Sequence, residues 1–450
     1  MKLKFNENGK FKILLFGDLH ENYDYAESPK FRDMQKLMNA SLDRYSPDLC
    51  VLLGDVCSTH GCDEEPEKFK AMATAVCKPM FDRNIPVAVI FGNHEHDPGC
   101  DDAVVKAYNE IGCIMRNESY GPHGKADYKE LIYSSDGKTP KFCLWFIDSN
   151  NLYPDQAVSD YDIVYPDQIE WFERESAKLR EQNGGNPMPS FVFQHIPVPE
   201  EYRLLRKARI WELPFAAKGF NTKSGNRYML EKKAARATSA RVPAPPISTT
   251  GNLTHGKKVG GVLGAFFGHD HLNDFSGYVD GIYLAQHKTA GFRAYTDGCR
   301  SCVRLLTLDE NDLGSFEQEL RHFKEFGLEC ECLGPIFKRI SDRQSTNMHI
   351  AAKILGAAAG TAALAVEAKY IIKAKLGKKE KNKMEKSAKL GKLTLLNIIL
   401  FGFIGQVAWA VENNFFNTFL FSFGGTTKDI STMVAASAVV AVVTTFVMGT

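Results

Sequence analysis

The stretch Lys12-Ile13-Leu14-Leu15-Phe16-Gly17-Asp18-Leu19-His20 decides the fold. Apolar residues fill five of the six positions from 11 to 16, a run typical of a buried strand, and a glycine ends it. Asp18 and His20 follow two residues apart, so their side chains point the same way in extended chain and reach one metal ion together. The stretch therefore predicts a buried strand that ends at a metal site.

The same pattern recurs along the chain and predicts an α/β sheet. Apolar runs at 49–53, 86–91, 142–147, 191–193 and 262–267 predict further strands, and residues 31–45, 67–83 and 166–181 have the spacing of helices. Runs at 281–285 and 302–308 are expected to complete a second sheet, and a charged helix is expected over 309–327. Residues 211–261 are basic, rich in alanine and without a clear period, which indicates a long surface insertion.

Ligand-type residues collect where these strands end. Because sites of α/β sheets lie at the carboxyl ends of the strands, we expect these side chains to meet. A lone buried histidine is usually structural, but this many strand-end ligands in one chain indicate a metal centre. The set is Asp18, His20, Asp55, Asn93, His94, His195, His269 and His271.

In these blocks the sequence resembles the calcineurin-like metallophosphoesterases. The match runs in the family's order through Gly-Asp-x-His at 17–20, Gly-Asp at 54–55, Gly-Asn-His-Glu at 92–95, His195 and Gly-His-x-His at 268–271, and covers about residues 10–310. Gln-His-Ile-Pro at 194–197 and the residues after His271 look like the purple-acid-phosphatase-like branch. The resemblance implies a four-layer α/β/β/α sandwich.

The resemblance also implies a two-metal site. Asp18, His20 and His271 would hold the first metal, Asn93, His195 and His269 the second, and Asp55 would bridge them. Metals held about 3.5–4 Å apart clamp a phosphate and acidify a bridging water, whose hydroxide attacks phosphorus in line. His94 is the candidate for stabilising the phosphoryl oxygens or protonating the leaving alcohol.

One position departs from the purple acid phosphatases. They place a tyrosine three residues after the bridging Asp, where this chain has Ser58. Serine cannot give the iron–tyrosinate colour, so Mn, Fe(II) and Zn are equally admissible. Around the site, His96 is interpreted as a solvated loop histidine, with a place near the site as the alternative, and Asp148 and Asn150 as partners of a ligand histidine.

Charge and cysteine content narrow the partners and the compartment. The net charge is +1, divided into −6 for residues 1–340 and +7 beyond, so the N-terminal part is a poor candidate for binding nucleic acid. The first residues contain no apolar signal segment, and eleven cysteines indicate free thiols in a reducing compartment. A zinc knuckle of Cys299, Cys302, Cys330 and Cys332 is an alternative to incidental thiols.

The C-terminal tail predicts membrane attachment. Residues 393–411 and 431–448 carry no formal charge and are about long enough to cross the bilayer as a hairpin in 393–450. Residues 350–372 are a third candidate, either spanning or interfacial, within a basic linker at 341–392. Nine lysines in 373–392 predict that this loop faces the cytoplasm. Domain 1–340 faces the same side if residues 350–372 do not span and the far side if they do, and the cysteines and the N-terminus favour the cytoplasmic arrangement. A soluble helical hairpin is the alternative.

Together these features predict a membrane-tethered, two-metal phosphohydrolase. Phosphomonoesters of a small molecule or a phosphoprotein are the expected substrates. Hydrolysis of a phosphodiester or a nucleotide is the alternative within the same fold, because the metal ligands are common to both. A non-catalytic, metal-stabilised membrane scaffold is the alternative from another class, which the intact His94 and seven intact ligands disfavour.

Overall fold

The computed structural model describes residues 2–25, 27–57, 65–97, 99–219, 225–231, 252–296 and 298–333. The core of the described chain contains two large sheets. The first has five strands in the order β14-β13-β1-β2-β3, with β1, β2 and β3 parallel. These strands are β1 (Lys10–Phe16), β2 (Leu49–Leu52), β3 (Val87–Val89), β13 (Cys302–Asp309) and β14 (Asp312–His322).

The second sheet has six strands in the order β11-β12-β10-β6-β5-β4. Its centre is parallel, with β5, β6, β10 and β12 side by side, and its two edge strands are antiparallel. Its strands are β4 (Tyr128–Tyr133), β5 (Pro140–Ile147), β6 (Ser190–Gln194), β10 (Val262–Phe267), β11 (Ser276–Val279) and β12 (Ile282–Gln286).

Five helices pack with the sheets: α1 (Pro29–Tyr45), α2 (Pro66–Phe81), α3 (Asp101–Glu110), α4 (Pro166–Gln182) and α5 (Asn252–Val259). Helix α1 begins where Ser28 accepts a hydrogen bond from the Phe31 N–H, and its apolar stripe is buried as its spacing predicts. Helix α2 contacts both α1 and α3, whereas α4 contacts α5.

The strand residues show how the layers stack. Along β5, Phe142, Leu144 and Phe146 join the core that contains the first sheet, whereas the alternate residues Cys143 and Trp145 join a second core with α4. The second sheet therefore packs one face on the first sheet and the other on α4 and α5. With α1–α3 against the first sheet, the described elements form the α/β/β/α order that the sequence predicts.

Two predictions about the last strands are wrong. Strand β13 lies beside β1 in the first sheet and not in the second. Residues 312–322 form β14 and not a charged helix, since a turn after Asp309 folds them back to pair along β13 from Asp312 to His322. The Phe316 ring then packs on Phe191 and Phe266, and these long-range contacts outweigh the local helical spacing.

The predicted insertion at 211–261 contains regular structure where it is described. A small sheet pairs β7 (Leu205–Lys207), β9 (Arg227–Leu230) and β8 (Ala217–Lys218), and α5 follows. Residues 220–224 and 232–251 lie outside the described residues, as do Ser58 and the whole predicted tail at 341–450. None of the helices in the described part of the chain combines the length and apolarity that a membrane span needs.

Candidate metal centre

Five strand ends bring the predicted ligands to one place. Asp18 and His20 follow β1, Asp55 follows β2, and Asn93 follows β3, all at the carboxyl edge of the first sheet. From the second sheet, His195 follows β6, while His269 and His271 follow β10. Neighbouring parallel strands end at the same edge of their sheet. The ligand side chains of both sheets therefore lie together at the carboxyl ends of the strands.

The ligand atoms form two overlapping groups. Potential donor atoms of Asp18, His20, Asp55 and His271 all lie within 4.8 Å of one another, and so do those of Asp55, His195 and His269. Asp55 belongs to both groups. Asn93 joins the second one, with its Oδ1 3.0 Å from Nδ1 of His269. The structure thus brings together all seven residues predicted as ligands and places one carboxylate where two ions would share it.

Two imidazoles face each other with the atoms that would hold a cation. Nε2 of His20 lies 3.0 Å from Nε2 of His271. Nδ1 of His271 lies 3.0 Å from the Tyr295 carbonyl oxygen, which only accepts, so Nδ1 carries the proton and Nε2 presents a lone pair. Burial lowers the pKa of His20 to about 4 and that of His271 to about 3, so both rings are neutral at pH 7, as metal ligation requires.

The charges of the cluster also call for a cation. Burial and the charge of Asp55 raise the pKa of Asp18 well above its usual range. Burial opposes the charge of Asp55, but the neighbouring His195 and His20 outweigh burial and hold the pKa of Asp55 well below its usual range. His195 is buried, yet Asp55 and Asp18 raise its pKa to about 10. Buried carboxylates need a positive charge nearby, and here they raise the pKa of a neighbouring histidine. A divalent ion would neutralise their charge in place of these protons.

The backbone around the ligands is held in an unusual conformation. Asp18, His20, Asp55 and His269 have φ values of 56°, 50°, 50° and 70°, in the left-handed region. Each such residue costs about 1–3 kcal/mol, and such costs concentrate at functional sites. Gly92 is equally constrained, because a Cβ there would lie 2.2 Å from Oδ1 of Asp55. The turns thus give up stability to aim these side chains at one point.

Two residues that sequence reasoning did not assign hold the cluster in place. Oε2 of Glu95 accepts hydrogen bonds from the N–H groups of Asp55 and Gly92, both 2.8 Å, and Oε1 accepts one from Val56 at 2.9 Å. The position of Glu95 directly after Asn93 and His94 was the sequence signal that could have identified this role. Tyr295 stacks on His271 with ring centroids 4.0 Å apart, and nothing in its loop sequence predicts this.

His94 lies at the open side of the cluster. Its N–H donates to Oδ1 of Asp55 at 2.9 Å, its ring centroid is 5.1 Å from that of His20, and its side chain is 47% exposed. Nδ1 faces Oδ2 of Asp97. Burial lowers the pKa of His94, but the charge of Asp55 and the bond with Asp97 outweigh burial and raise the pKa above its ordinary value. A partly exposed, readily protonated ring beside the ligands can serve as a proton donor.

The interpretation of His96 as solvated is wrong, and so is the assignment of Asp148 to a ligand histidine. The His96 side chain is only 9% exposed, and its two ring nitrogens lie 3.0 Å from Asp101 and 2.9 Å from Asp148. Asn150 donates instead to Gln168 and the Ile163 carbonyl. The turn at 93–95 places His94 beside the ligands and buries His96 on the opposite side. The sequence of this short turn does not indicate which of its side chains is buried.

The donor set suits divalent metals of the first transition row. Carboxylate, amide and neutral imidazole donors bind Mn, Fe(II) and Zn, whereas no thiol belongs to either group of described donors. Oδ2 of Asp18 is buried and has no hydrogen-bond partner among the described residues. A buried carboxylate oxygen without a donor is costly unless a cation meets it, so the residues fit a metal centre.

Two sheets of this topology with such a cluster at their carboxyl edge define a metal-dependent phosphoesterase fold. Residues 11–273 match the family model of calcineurin-like phosphoesterases, and the chain belongs to that family. The sequence resemblance is thereby confirmed.

Curated relatives include "Probable inactive purple acid phosphatase 29" of Arabidopsis thaliana, 25% identical over 69% of this chain and 79% of the relative. "Phosphatase DCR2" of Saccharomyces cerevisiae is 25% identical over 61% of this chain and 46% of the relative. Among solved structures, a dimetal phosphatase from Danio rerio aligns over 70% of this chain and 99% of its own, at 13% identity and a TM-score of 0.39.

Proposed function

We propose that this protein is a two-metal-dependent phosphohydrolase that cleaves phosphomonoesters. The position of Asp55 in both donor groups carries the proposal, because a shared carboxylate is what a pair of neighbouring cations requires. Asp18, His20 and His271 would hold one ion, and His195, His269 and Asn93 would hold the other. Two ions at such a site neutralise charge on the phosphoryl oxygens and lower the pKa of water to near neutrality.

The protein's own side chains set the geometry of the reaction. Glu95 fixes the turn that carries Asp55 through three N–H bonds, and Tyr295 orients His271 through its carbonyl and its ring. His94 lies at the open side of the cluster, with its ring centroid 5.1 Å from that of His20. We assign His94 the transfer of a proton to the leaving alcohol.

Phosphomonoesters are the first choice of substrate, and phosphodiesters or nucleotides are the alternative. The name "Phosphatase DCR2" of the yeast relative supports the first choice, whereas "inactive" in the names of the Arabidopsis relatives raises the non-catalytic alternative. Against that alternative, all seven ligand residues and His94 are present and placed together. A scaffold has no use for the proton donor.

A substrate panel tests this proposal. With Mn²⁺, the purified protein is expected to release p-nitrophenol from p-nitrophenyl phosphate faster than from bis(p-nitrophenyl) phosphate, and Asp55→Asn is expected to abolish release from both. Faster cleavage of the diester would transfer the proposal to phosphodiesters. Equal release by the wild type and by Asp55→Asn would contradict the metal mechanism altogether.

Membrane attachment through residues 393–450, with the catalytic domain on the cytoplasmic side, is a separate proposal that rests on sequence alone. The basic segment at 373–392 supports the orientation. The full chain is expected to stay in the membrane fraction when membranes are washed with alkaline carbonate. Release of the full chain by this wash would contradict the attachment without bearing on the metal site.

A further inference from the structure

A second cluster of ligand-type side chains lies against helix α1, apart from the residues of the metal centre. Asp33 of α1 is buried, and the chain at 330–332 wraps over it. Sγ of Cys330 lies 3.2 Å from Oδ2 of Asp33 and 3.7 Å from Sγ of Cys332. One carboxylate and two thiols thus share a space small enough for one ion, with all donor atoms within 4.8 Å of one another.

These distances are those of a tetrahedral zinc site. Zinc binds thiolates at about 2.3 Å and carboxylates at about 2.0 Å, so tetrahedral angles place two sulfurs about 3.8 Å apart and a sulfur and an oxygen about 3.5 Å apart. The observed separations are 3.7 Å and 3.2 Å. A disulfide needs its sulfurs at about 2.05 Å, which this arrangement does not offer.

The two other cysteines of the predicted knuckle do not join the cluster. Cys299, in the 3-10 turn Gly298–Arg300, is buried, but its sulfur does not belong to the group of donor atoms that lie within 4.8 Å of one another. The thiol of Cys302 points to the Lys288 carbonyl oxygen at 3.7 Å. Of the four cysteines in the sequence pattern, the cluster therefore contains Cys330 and Cys332, and Asp33 joins them.

The surroundings of Asp33 resemble those of a ligating carboxylate. The N–H groups of Glu331 and Cys332 donate to its oxygens at 2.8–3.0 Å and fix its orientation. Lys36 lies 3.1 Å from Oδ1 of Asp33, and Arg32 lies 3.0 Å from Glu331. These cations offset the excess negative charge that two thiolates and a carboxylate leave around one divalent ion.

We propose that Asp33, Cys330 and Cys332 hold a structural zinc ion at a site that is distinct from the phosphoesterase centre. Two chain segments meet in this site, helix α1 and the loop at 330–332. The ion would tie this loop to the first helix of the domain.

Cobalt substitution of the full-length, reduced protein tests this site separately from the phosphoesterase centre. Cobalt bound by thiolates shows intense near-ultraviolet charge-transfer absorption, which a site of oxygen and nitrogen donors cannot give. We expect this absorption to saturate at one equivalent of thiolate-bound cobalt per chain and zinc to displace it. As isolated, the protein is expected to contain the corresponding equivalent of zinc.

Variants locate the absorption. Cys330→Ser is expected to abolish it, and Cys332→Ser, at a half-buried position, to abolish it with less risk to folding. Cys302→Ser is the matched control, and Cys113→Ser controls for the core thiol pair of Cys77 and Cys113, whose sulfurs lie 3.8 Å apart. Both controls are expected to keep the full absorption.

Three results would overturn the proposal. They are the absence of thiolate–cobalt absorption in folded, reduced wild-type protein, its persistence in Cys332→Ser, and a disulfide between Cys330 and Cys332 in freshly purified protein. The last result would indicate a redox pair in place of a metal site. Loss of phosphatase activity in Asp55→Asn, with the cobalt absorption intact, would separate this site from the proposed function.

Discussion

Two neighbouring clusters of histidine and aspartate differ in how their polar atoms are satisfied. In the metal centre, Nε2 atoms of two neutral histidines face each other at 3.0 Å, and Oδ2 of Asp18 has no hydrogen-bond partner among the described residues. In the His96 network, which we define as His96, Asp101, Asp148, Asp127 and Gln168, donors meet acceptors throughout. The two clusters diverge within one turn, since His94 and His96 are two residues apart.

The difference separates a ligand set from a structural network. Histidines whose ring nitrogens hydrogen-bond with carboxylates, such as His96, stabilise the fold. Histidines whose lone pairs point at each other, such as His20 and His271, are suited to bind a cation. Residue type alone cannot tell these cases apart. Changes in the metal centre should therefore cost activity, and changes in the His96 network should cost stability.

The largest expected effect is that of Asp55→Asn. The substitution keeps the size of the side chain and the oxygen that accepts from the His94 N–H, but it removes the shared charge from both donor groups. Activity is expected to fall to background and the bound metal to fall below two equivalents, as measured by initial rates and elemental analysis. Unchanged metal content with background activity would place Asp55 outside the ligand set.

His94→Ala is expected to lower kcat by about 10²–10⁴-fold, the usual worth of a general acid. Metal content should stay the same, and stability should change by less than about 1 kcal/mol, since the side chain is about half exposed. Because the pKa of His94 is raised, its acid form is lost only as pH rises above the ordinary histidine range. The alkaline fall of kcat should therefore disappear in the variant, as a pH–rate profile would reveal.

His96→Ala should show the reverse pattern. Removing the ring leaves the buried Asp148 unpaired, which costs about 3–5 kcal/mol of unfolding free energy. Burial lowers the pKa of His96, but Asp148 and Asp101 outweigh burial and raise it well above its ordinary value. This contribution is complete below about pH 6.5 and is lost as pH rises through the raised pKa. Denaturant unfolding at two pH values measures the loss of unfolding free energy and its pH dependence. A fall in the kcat of His96→Ala as large as that of His94→Ala would contradict the difference between the two histidines.

The smallest expected effect is that of Asp127→Asn. Burial and the charge of Asp148 raise the pKa of Asp127 to about 8, so its side chain is mostly uncharged at pH 7, like the amide that replaces it. The unfolding free energy is expected to change by less than about 1 kcal/mol. Asp148→Asn is the control with a charged partner, and it should cost more because it removes the counterion of His96. Equal costs for the two variants would contradict these protonation states.

Much of this was predictable from the sequence, because the ligands come two to four residues after apolar runs. The ends of β1, β2, β6 and β10 are marked by Gly-Asp, Gln-His or Gly-His, and all of them point to the same edge. Asn93 and His94 follow from the same rule. The strands β1, β2, β3, β5, β6 and β10 and the helices α1, α2 and α4 were predicted close to their observed bounds.

The remainder depends on contacts between distant residues. Strand β14 carries helical spacing but pairs with β13, and no local pattern indicates that Phe316 reaches the second sheet. Tyr295 supports His271 from a loop without periodicity. His96 was misjudged because the side of a short turn that faces the core is set by what packs there, in this case Asp148.

The most direct test of the metal centre is electron paramagnetic resonance of metal-free protein to which two equivalents of Mn²⁺ are added. Two ions that shared Asp55 would lie about 3.5–4 Å apart and would couple magnetically. We predict a multiline signal from a coupled pair, which Asp55→Asn replaces with the six-line signal of isolated ions. A six-line signal from the wild type at two equivalents would contradict the two-metal centre.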